Sequence, residues 1–539
     1  MRFDRQSVGW VAGLILFAAP AAGQSSAASA ARLFDSTRYL ADQISITQSR
    51  GAALSTHGVP LEHLRAEYRS RHDALLRTPL DDRIQAALTR LPSPDAVPHA
   101  APLLSNEECS YQAQAIAVGD SALRLLENQM FICYTKETHR IIVDRDTLDR
   151  LSALSLLGTT DDPVRRERLF RGLDPVWASV NRHDEVDAPY RMLVSLRRKA
   201  WAGRSPLDQR VEALGFEPAQ VEGWLESLLD AWSRVLPDRP LEPWDYYYAN
   251  GAAARQLAAR IPRDSLLAIN ARFYRSLGAD PETLNVHFDI ESRVGKYPIA
   301  FTNFGDRPVE RDGRWLPGEP WVFASYWLGG FDNLNELLHE TGHAVHIAAI
   351  RAPSGQNDWP DSDIFTEAIA ELATLEMYEP AWQRAYLGQA VPLEQSLRAR
   401  YAGIMMDVAW ALFEFRVHRE GAASPNRIWT DITSRYLHIK PHPELSWWAM
   451  RGQLIENPGY LLNYAFGAII AADLRAALVA RYGSFTTGRR DWYGQVSADI
   501  YRFGLMKPAR EVTEAILGRR PNPEALLADL GRIKSPGHR

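Results

Sequence analysis

Apolar residues recur every three or four positions along most of the chain, which predicts a mainly helical protein. One such helix is predicted before Pro237, which ends it. Another is predicted over residues 363–376, where apolar and acidic positions alternate with helical spacing. The chain has no internal repeat. The apolar positions of the helix predicted before Pro237 are Val221, Trp224, Leu225, Leu228, Leu229 and Trp232.

Two segments favour strands instead of helices. Residues 130–134 and 140–143 are apolar and flank a polar stretch, which predicts a β-hairpin with Cys133 on its first strand. Residues 319–326 are rich in aromatic and branched side chains and predict a short strand. That strand is either a sheet edge along which an extended peptide pairs or a strand of the core.

The N-terminal residues predict export. Arg2 and Arg5 precede an apolar run over residues 8–19, and small residues follow, so we predict a signal peptide over residues 1–23 with cleavage after Gly23. An uncleaved anchor is the alternative. The mature protein is expected to be periplasmic or secreted.

Prolines between Pro92 and Pro102 mark a linker. We therefore divide the exported chain into an N-terminal helical segment and linker, residues 24–104, and a larger domain, residues 105–539. The core of that domain is expected over about 242–475.

Charge argues against two classes of binding partner, and the cysteine content predicts a disulfide. The formal charge of −5 becomes −6 for the mature chain, because residues 1–23 carry two Arg and one Asp. Such a chain has no basic excess for nucleic acid or for an anionic membrane. Cys109 and Cys133 are the two cysteines, and in an oxidising compartment we expect them to form a disulfide.

The sequence His339-Glu340-Thr341-Gly342-His343 is an HExxH motif in an apolar helical run. Histidines four apart lie on one helical face, so both imidazoles can bind one metal ion. Glu340, about 100° round the helix, is placed to take a proton from a water molecule at the metal. The alternative is a pair of core histidines. Gly342 weakens that alternative, since glycine costs about 1 kcal/mol in a helix relative to alanine.

A third ligand is expected from the helix over residues 363–376. The turn-forming residues 353–360 let the chain double back, so Glu367 can complete a His, His, Glu site with one position left for water. Glu371, one turn later, is expected to hydrogen-bond the far nitrogen of a ligating histidine. For both glutamates the alternative is a solvated carboxylate.

These motifs resemble those of the gluzincin oligopeptidases. HETGHAVH followed by FTEAIAE is similar to thimet oligopeptidase and oligoendopeptidase F, with a weaker similarity to angiotensin-converting enzyme. Residues 242–248 and 288–296 resemble further segments of that family, so that the resemblance covers about 242–475. It implies a mainly α fold, a two-lobed helical bowl with a deep substrate channel and a small β-sheet beside the zinc.

The resemblance also implies tyrosines that donate hydrogen bonds to the tetrahedral intermediate. Tyr460 and Tyr464 match the spacing of the first two family tyrosines, and the likeness to angiotensin-converting enzyme favours Tyr464. Gly467 stands where the third tyrosine is expected, and Ile455 or Glu456 replaces the family histidine. The alternative for each tyrosine is an aromatic at an internal interface with a satisfied hydroxyl.

We therefore expect a zinc metallopeptidase with one Zn²⁺ per chain that cuts short peptides by metal-activated water, with Glu340 as general base. One alternative is a peptidyl-dipeptidase that removes C-terminal dipeptides. Arg451 could receive a substrate carboxylate, but the sequence favours a surface salt bridge for it. A second alternative is a peptide-binding protein with a vestigial zinc site. We expect a monomer whose partners are short peptides, with no nucleic acid and no membrane insertion after signal cleavage.

Overall fold

The computed structural model describes residues 26–92, 120–138, 141–293, 296, 300–311, 313–353, 355–421 and 424–533. It contains 65% helix and 6% strand, which confirms the mainly α fold class. The predicted signal peptide, Cys109 and most of the proline-rich linker lie outside the described residues. Their roles, and the division into domains, stay predictions.

Helices and short strands alternate along the chain. The helices are α1 (Ser26–Ser49), α2 (Leu61–Leu76), α3 (Asp82–Leu88), α4 (Asp120–Glu137), α5 (Arg150–Thr159), α6 (Pro163–Arg171), α7 (Asp174–Asn181), α8 (Pro189–Ala200), α9 (Pro206–Ala213), α10 (Pro218–Ser233), α11 (Tyr246–Asn250), α12 (Ala252–Leu257), α13 (Leu266–Ser276), α14 (Phe331–Ala349), α15 (Asp363–Thr374), α16 (Pro380–Leu387), α17 (Leu393–Glu420), α18 (Pro425–Tyr436), α19 (Gln453–Glu456), α20 (Leu461–Tyr482), α21 (Trp492–Asp499), α22 (Ala509–Leu517) and α23 (Glu524–Gly531). The strands are β1 (Ile141–Val143), β2 (Asp146–Leu148), β3 (His287–Glu291), β4 (Phe301–Asn303), β5 (Val309–Arg311), β6 (Arg314–Leu316) and β7 (Trp321–Tyr326).

Four helices form the centre of the molecule. α20 packs against α15 and α17, and α17 also packs against α10, which is the helix predicted before Pro237. Their facing side chains are apolar and buried, as expected of amphipathic helices around one core. Among the described residues, α20 is long and apolar enough to cross a membrane, but 67% of its apolar window is buried. Such burial is typical of a core helix.

A three-stranded sheet lies beside α14, with strand order β3-β7-β4. β7 pairs in parallel with β3 and antiparallel with β4, so it is the central strand. Of the two alternatives for residues 319–326, the sheet edge is therefore wrong and the core strand is correct. The physical reason is burial on both faces, since Val322, Phe323 and Ala324 are all inaccessible to solvent. β4 is the edge strand next to α14.

The predicted hairpin around Cys133 is wrong, because residues 120–137 form α4. Leu126, Met130, Cys133 and Tyr134 are buried at helical spacing, and this period outweighs the strand preference of the individual residues. The hairpin forms later, between β1 and β2. With Cys109 outside the described residues, the disulfide stays a prediction.

A buried ionic network joins α1 to the loop that precedes α15. The Arg307 guanidinium lies between Asp42 on α1, with Nε 2.7 Å from Oδ2, and Asp358, with Nη1 3.0 Å from Oδ1. Arg38 on α1 approaches the same Asp358 at 3.7 Å. Trp359 follows directly, and its ring lies 5.5 Å from the ring of His343. The N-terminal helix thus braces the loop that packs against the HExxH helix.

We expect Arg307→Met to lower the free energy of unfolding by about 3–5 kcal/mol, because it leaves Asp42 and Asp358 buried without their common cation. The control is Arg168→Met, which breaks an exposed ion pair with Asp144 and should cost less than about 1 kcal/mol. Urea unfolding followed by tryptophan fluorescence measures both. Equal losses in the two variants would contradict the assignment.

Candidate metal centre and active site

The structure brings His339, His343 and Glu367 together, with their nearest ligand atoms all within 4.8 Å of one another. Glu367 Oε2 lies 3.3 Å from His339 Nε2 and 4.0 Å from His343 Nε2. Ligand atoms about 2.1 Å from a tetrahedral zinc ion are about 3.4 Å apart, so the His339–Glu367 separation matches zinc and the His343–Glu367 separation is wider by about 0.6 Å. Two imidazole nitrogens and a carboxylate oxygen are also a typical donor set for zinc in hydrolases.

Gly342 explains how Glu367 reaches the histidines. α14 and α15 pack so closely that a Cβ atom at Gly342 would lie 2.4 Å from the carbonyl oxygen of Ala370. Any other residue would push the two helices apart. The helix-destabilising glycine in the HExxH motif is therefore required by the contact that assembles the ligands.

Glu371 lies behind His339. Its Oε1 is 2.7 Å from Nδ1 of His339, and Nε2 of the same ring faces Glu367. An Nδ1–H that donates to Glu371 leaves Nε2 with its lone pair toward the metal position. Glu371 thus fixes both the orientation and the tautomer of His339.

Glu340 is buried beside the ligands and is held by a residue that sequence analysis missed. The hydroxyl of Thr302, on β4, lies 2.7 Å from Oε2 of Glu340 and 2.8 Å from its backbone carbonyl oxygen. Burial raises the pKa of Glu340 to about 7, although the nearby His339 and Thr302 oppose the shift. A carboxyl group with a pKa near neutrality can both accept and return a proton.

The two candidate tyrosines differ in their contacts. Tyr460 donates a hydrogen bond to Oε1 of Glu367, at 3.3 Å, so its hydroxyl supports the third ligand. The ring of Tyr464 packs edge-on against that of Tyr460 at 5.5 Å. Burial raises the pKa of Tyr464 to about 12, and the charges of Glu367 and Glu340 contribute. Tyr464 is therefore a protonated donor close to both carboxylates.

Gly467 lies where α20 packs on α15. A Cβ atom there would make ordinary van der Waals contacts, 3.5 Å from the carbonyl oxygen of Ile364 and 3.7 Å from Cβ of Glu367. The position of the third tyrosine that the resemblance implied is therefore a helix contact beside Glu367.

The segment expected to carry the family histidine is fixed through its backbone. Ile455 is fully buried, whereas Glu456 is exposed. Arg197 on α8 donates to the carbonyl oxygens of Leu454, at 2.7 Å, and of Ile455. The apolar side chain of Ile455 cannot replace the imidazole, and the segment is positioned by the buried guanidinium of Arg197.

Glu414 on α17 holds the next part of this segment. Its Oε1 accepts a hydrogen bond from the N–H of Gly459, at 2.6 Å, directly before Tyr460. The carboxyl is fully buried, and this burial raises its pKa to about 7, opposed by the Gly459 N–H, Arg197 and Arg210. A buried acid thus sets the start of α20 and with it the position of both tyrosines.

Comparison with solved structures identifies the fold. PZ peptidase A, solved with an inhibitor, superimposes with a TM-score of 0.54 at 14% sequence identity, over 94% of this chain and 84% of that one. At this identity the likeness shows a shared fold. The sequence matches no protein-family model and no curated protein. The chain therefore has the fold of a known peptidase, while its own activity has to be inferred from the site.

We expect Glu414→Gln to become more stable relative to the wild type as pH rises. The folded protein holds the Glu414 proton more tightly than the unfolded chain, whose pKa is near 4.5. The free energy of unfolding that this proton contributes is fully present below pH 4.5 and is lost as pH rises to about 7. Over this range the wild type loses about 3 kcal/mol of its free energy of unfolding, whereas the amide of Glu414→Gln does not titrate and the variant keeps its stability.

Urea unfolding at pH 4.5, 6 and 8 measures the difference between this variant and the wild type. Glu310→Gln, which removes an exposed carboxylate on β5, is the control and should show no such trend. The assignment fails if the stability difference between Glu414→Gln and the wild type stays constant over this pH range.

Proposed function

We propose that this protein is a zinc-dependent metallopeptidase that hydrolyses short peptides, of the gluzincin oligopeptidase type. The observation that carries the proposal is the triangle of His339, His343 and Glu367 with the buried Glu340 beside it. The shared fold with PZ peptidase A supports it. We extend it to an exported, monomeric enzyme on the basis of the N-terminal sequence and composition alone.

The described residues supply each part of such a reaction. When bound, zinc polarises the scissile carbonyl and acidifies the attacking water. Glu340, oriented by Thr302, accepts the proton of that water and passes it to the leaving amine. Tyr464 donates a hydrogen bond to the oxyanion of the tetrahedral intermediate.

The two alternative functions have less support. A peptidyl-dipeptidase requires a receptor for the terminal carboxylate, and the candidate Arg451 is ion-paired with Asp407. A vestigial site has no reason to keep Glu340 buried and hydrogen-bonded next to a complete set of ligands. Hydrolysis of an internally quenched peptide that stops on chelation and resumes with zinc tests the proposal.

Purified protein should contain about one zinc per chain. His339→Ala should lose the metal because it removes a ligand, whereas Glu340→Gln should keep the metal and lose hydrolysis by orders of magnitude because it removes the base. His63→Ala, at an exposed position on α2, is the control. Metal analysis and peptide hydrolysis measure these effects, and full zinc occupancy in His339→Ala would refute the ligand assignment.

The two tyrosines should have different effects. We expect Tyr464→Phe to lower kcat by about 10²–10³ while KM and zinc content stay unchanged, because it removes an oxyanion donor. Tyr460→Phe should instead weaken zinc binding by about 10–100-fold, because it removes a hydrogen bond to the ligand Glu367. Steady-state kinetics and competition with a zinc chelator separate the two outcomes. A kcat loss confined to Tyr460→Phe would reverse the roles.

A further inference from the structure

A cavity of about 320 Å³ lies between α1 and α2, and no zinc ligand lines it. Its volume falls at the lower end of the range of small-molecule sites, which is about 300–1,000 Å³. On α1 it is lined by Tyr39 and Gln43, one helical turn apart, and on α2 by Glu67 and Arg71 with the same spacing. The loop that joins the two helices contributes Ser55. The cavity is therefore built from both helices of one hairpin and from their connection.

The amide of Gln43 is buried in the wall of this cavity without an acceptor for its N–H groups. Gln43 is 3% exposed, and its Oε1 accepts a hydrogen bond from the hydroxyl of Thr56 at 3.4 Å. Its Nε2 carries two donors and donates to no residue that the structure describes. A buried donor without an acceptor is costly. The amide therefore indicates an oxygen atom of a ligand.

Two hydroxyl groups of the lining are further donors. Ser55 is 7% exposed, and its Oγ accepts hydrogen bonds from two backbone N–H groups of the loop, at 3.2 and 3.0 Å. The proton of this hydroxyl is donated to none of the described residues. Burial raises the pKa of Tyr39 to about 12, and the charges of Asp306 and Glu319 contribute, so Tyr39 stays protonated. Its hydroxyl makes no hydrogen bond within the described part of the chain.

The lining offers few acceptors in return. Glu67 is the one carboxylate among the described lining residues, and its Oε1 lies 2.9 Å from Nε and 2.8 Å from Nη2 of Arg71. Its charge is therefore already compensated. Donors without acceptors match a carboxylate, which only accepts hydrogen bonds. Because Asp306 and Glu319 act on Tyr39, an anion is favoured beside Gln43 and Ser55.

We propose that this cavity binds a small organic acid, whose carboxylate accepts hydrogen bonds from Gln43 and Ser55. Leu40 and Leu64, which are 6% and 5% exposed, line the same cavity and contact the apolar body of the acid. The inference goes beyond the proposed peptidase function and does not depend on it, since the cavity shares no residue with the zinc site.

Isothermal titration calorimetry with 3-phenylpropanoate tests the site. The acid should bind about 10- to 100-fold more tightly than 3-phenylpropanamide, its neutral analogue of the same shape, as expected for hydrogen bonds to a charged group. Inorganic phosphate, which has no apolar body, should also bind more weakly. Gln43→Met keeps the length of the side chain and removes its donors, so it should weaken binding of the acid by about 10- to 100-fold. Gln220→Met, at an exposed position on α10, is the control and should bind like the wild type.

Equal binding of the acid and the amide, or of the acid and phosphate, overturns the proposal, as does unchanged binding by Gln43→Met. Carboxylates also bind zinc, so the titration is repeated with His339→Ala. Binding that persists there supports the cavity, and binding that is lost assigns the acid to the zinc site and overturns the proposal. Hydrogen exchange locates the acid on the unsubstituted protein. Backbone amides within residues 39–71 should exchange more slowly when it is bound, and protection confined to other segments contradicts the site.

Discussion

The close contact between α14 and α15 determines the whole site. At Gly342 the two helices approach until the carbonyl oxygen of Ala370 occupies the space of a side chain. That approach places Glu367 next to both histidines and Glu371 behind His339. The other walls of the site depend on it, because α20 packs on the outer side of α15 and β4 lies against α14. A wider spacing would separate the ligands by more than one metal ion can bridge.

Buried charges hold the segments around this contact. Burying an isolated charge costs free energy, so each buried charge is expected to have an opposite charge or hydrogen-bond partners nearby. Arg307 and Arg197 are compensated, the first by two carboxylates and the second by Glu127 and backbone carbonyl groups. Glu414 is less well compensated, as its raised pKa indicates. Arg307 contacts the loop at Asp358, Arg197 contacts the backbone of α19, and Glu414 contacts the backbone directly before Tyr460, so all three fix the positions of segments around the site.

How much the sequence predicts depends on the distance between interacting residues. The helical period and the HExxH spacing predict α14, α15 and the ligand set, because each signal lies within one or two turns of a helix. Thr302 has no such signal, since it meets Glu340 only through the pairing of β4 with β7. The central position of β7 likewise depends on distant partners. The region around Cys133 shows local conflict, in which burial at helical spacing outweighs the strand preference of isoleucine, cysteine and tyrosine.

The two departures from the oligopeptidase pattern lie on α20 and in the segment directly before it. Gly467 is on the face of α20 that packs on α15 beside Glu367, and Tyr460, at the start of the same helix, donates to Glu367. Residues 453–459 need a fixed position, because α20 begins directly after them and Tyr460 lies at its start. Arg197 and Glu414 fix this segment through its backbone, at the carbonyl oxygen of Leu454 and the N–H of Gly459. In this chain the side of the site that carries Tyr460 and Tyr464 is therefore shaped by helix packing and backbone hydrogen bonds.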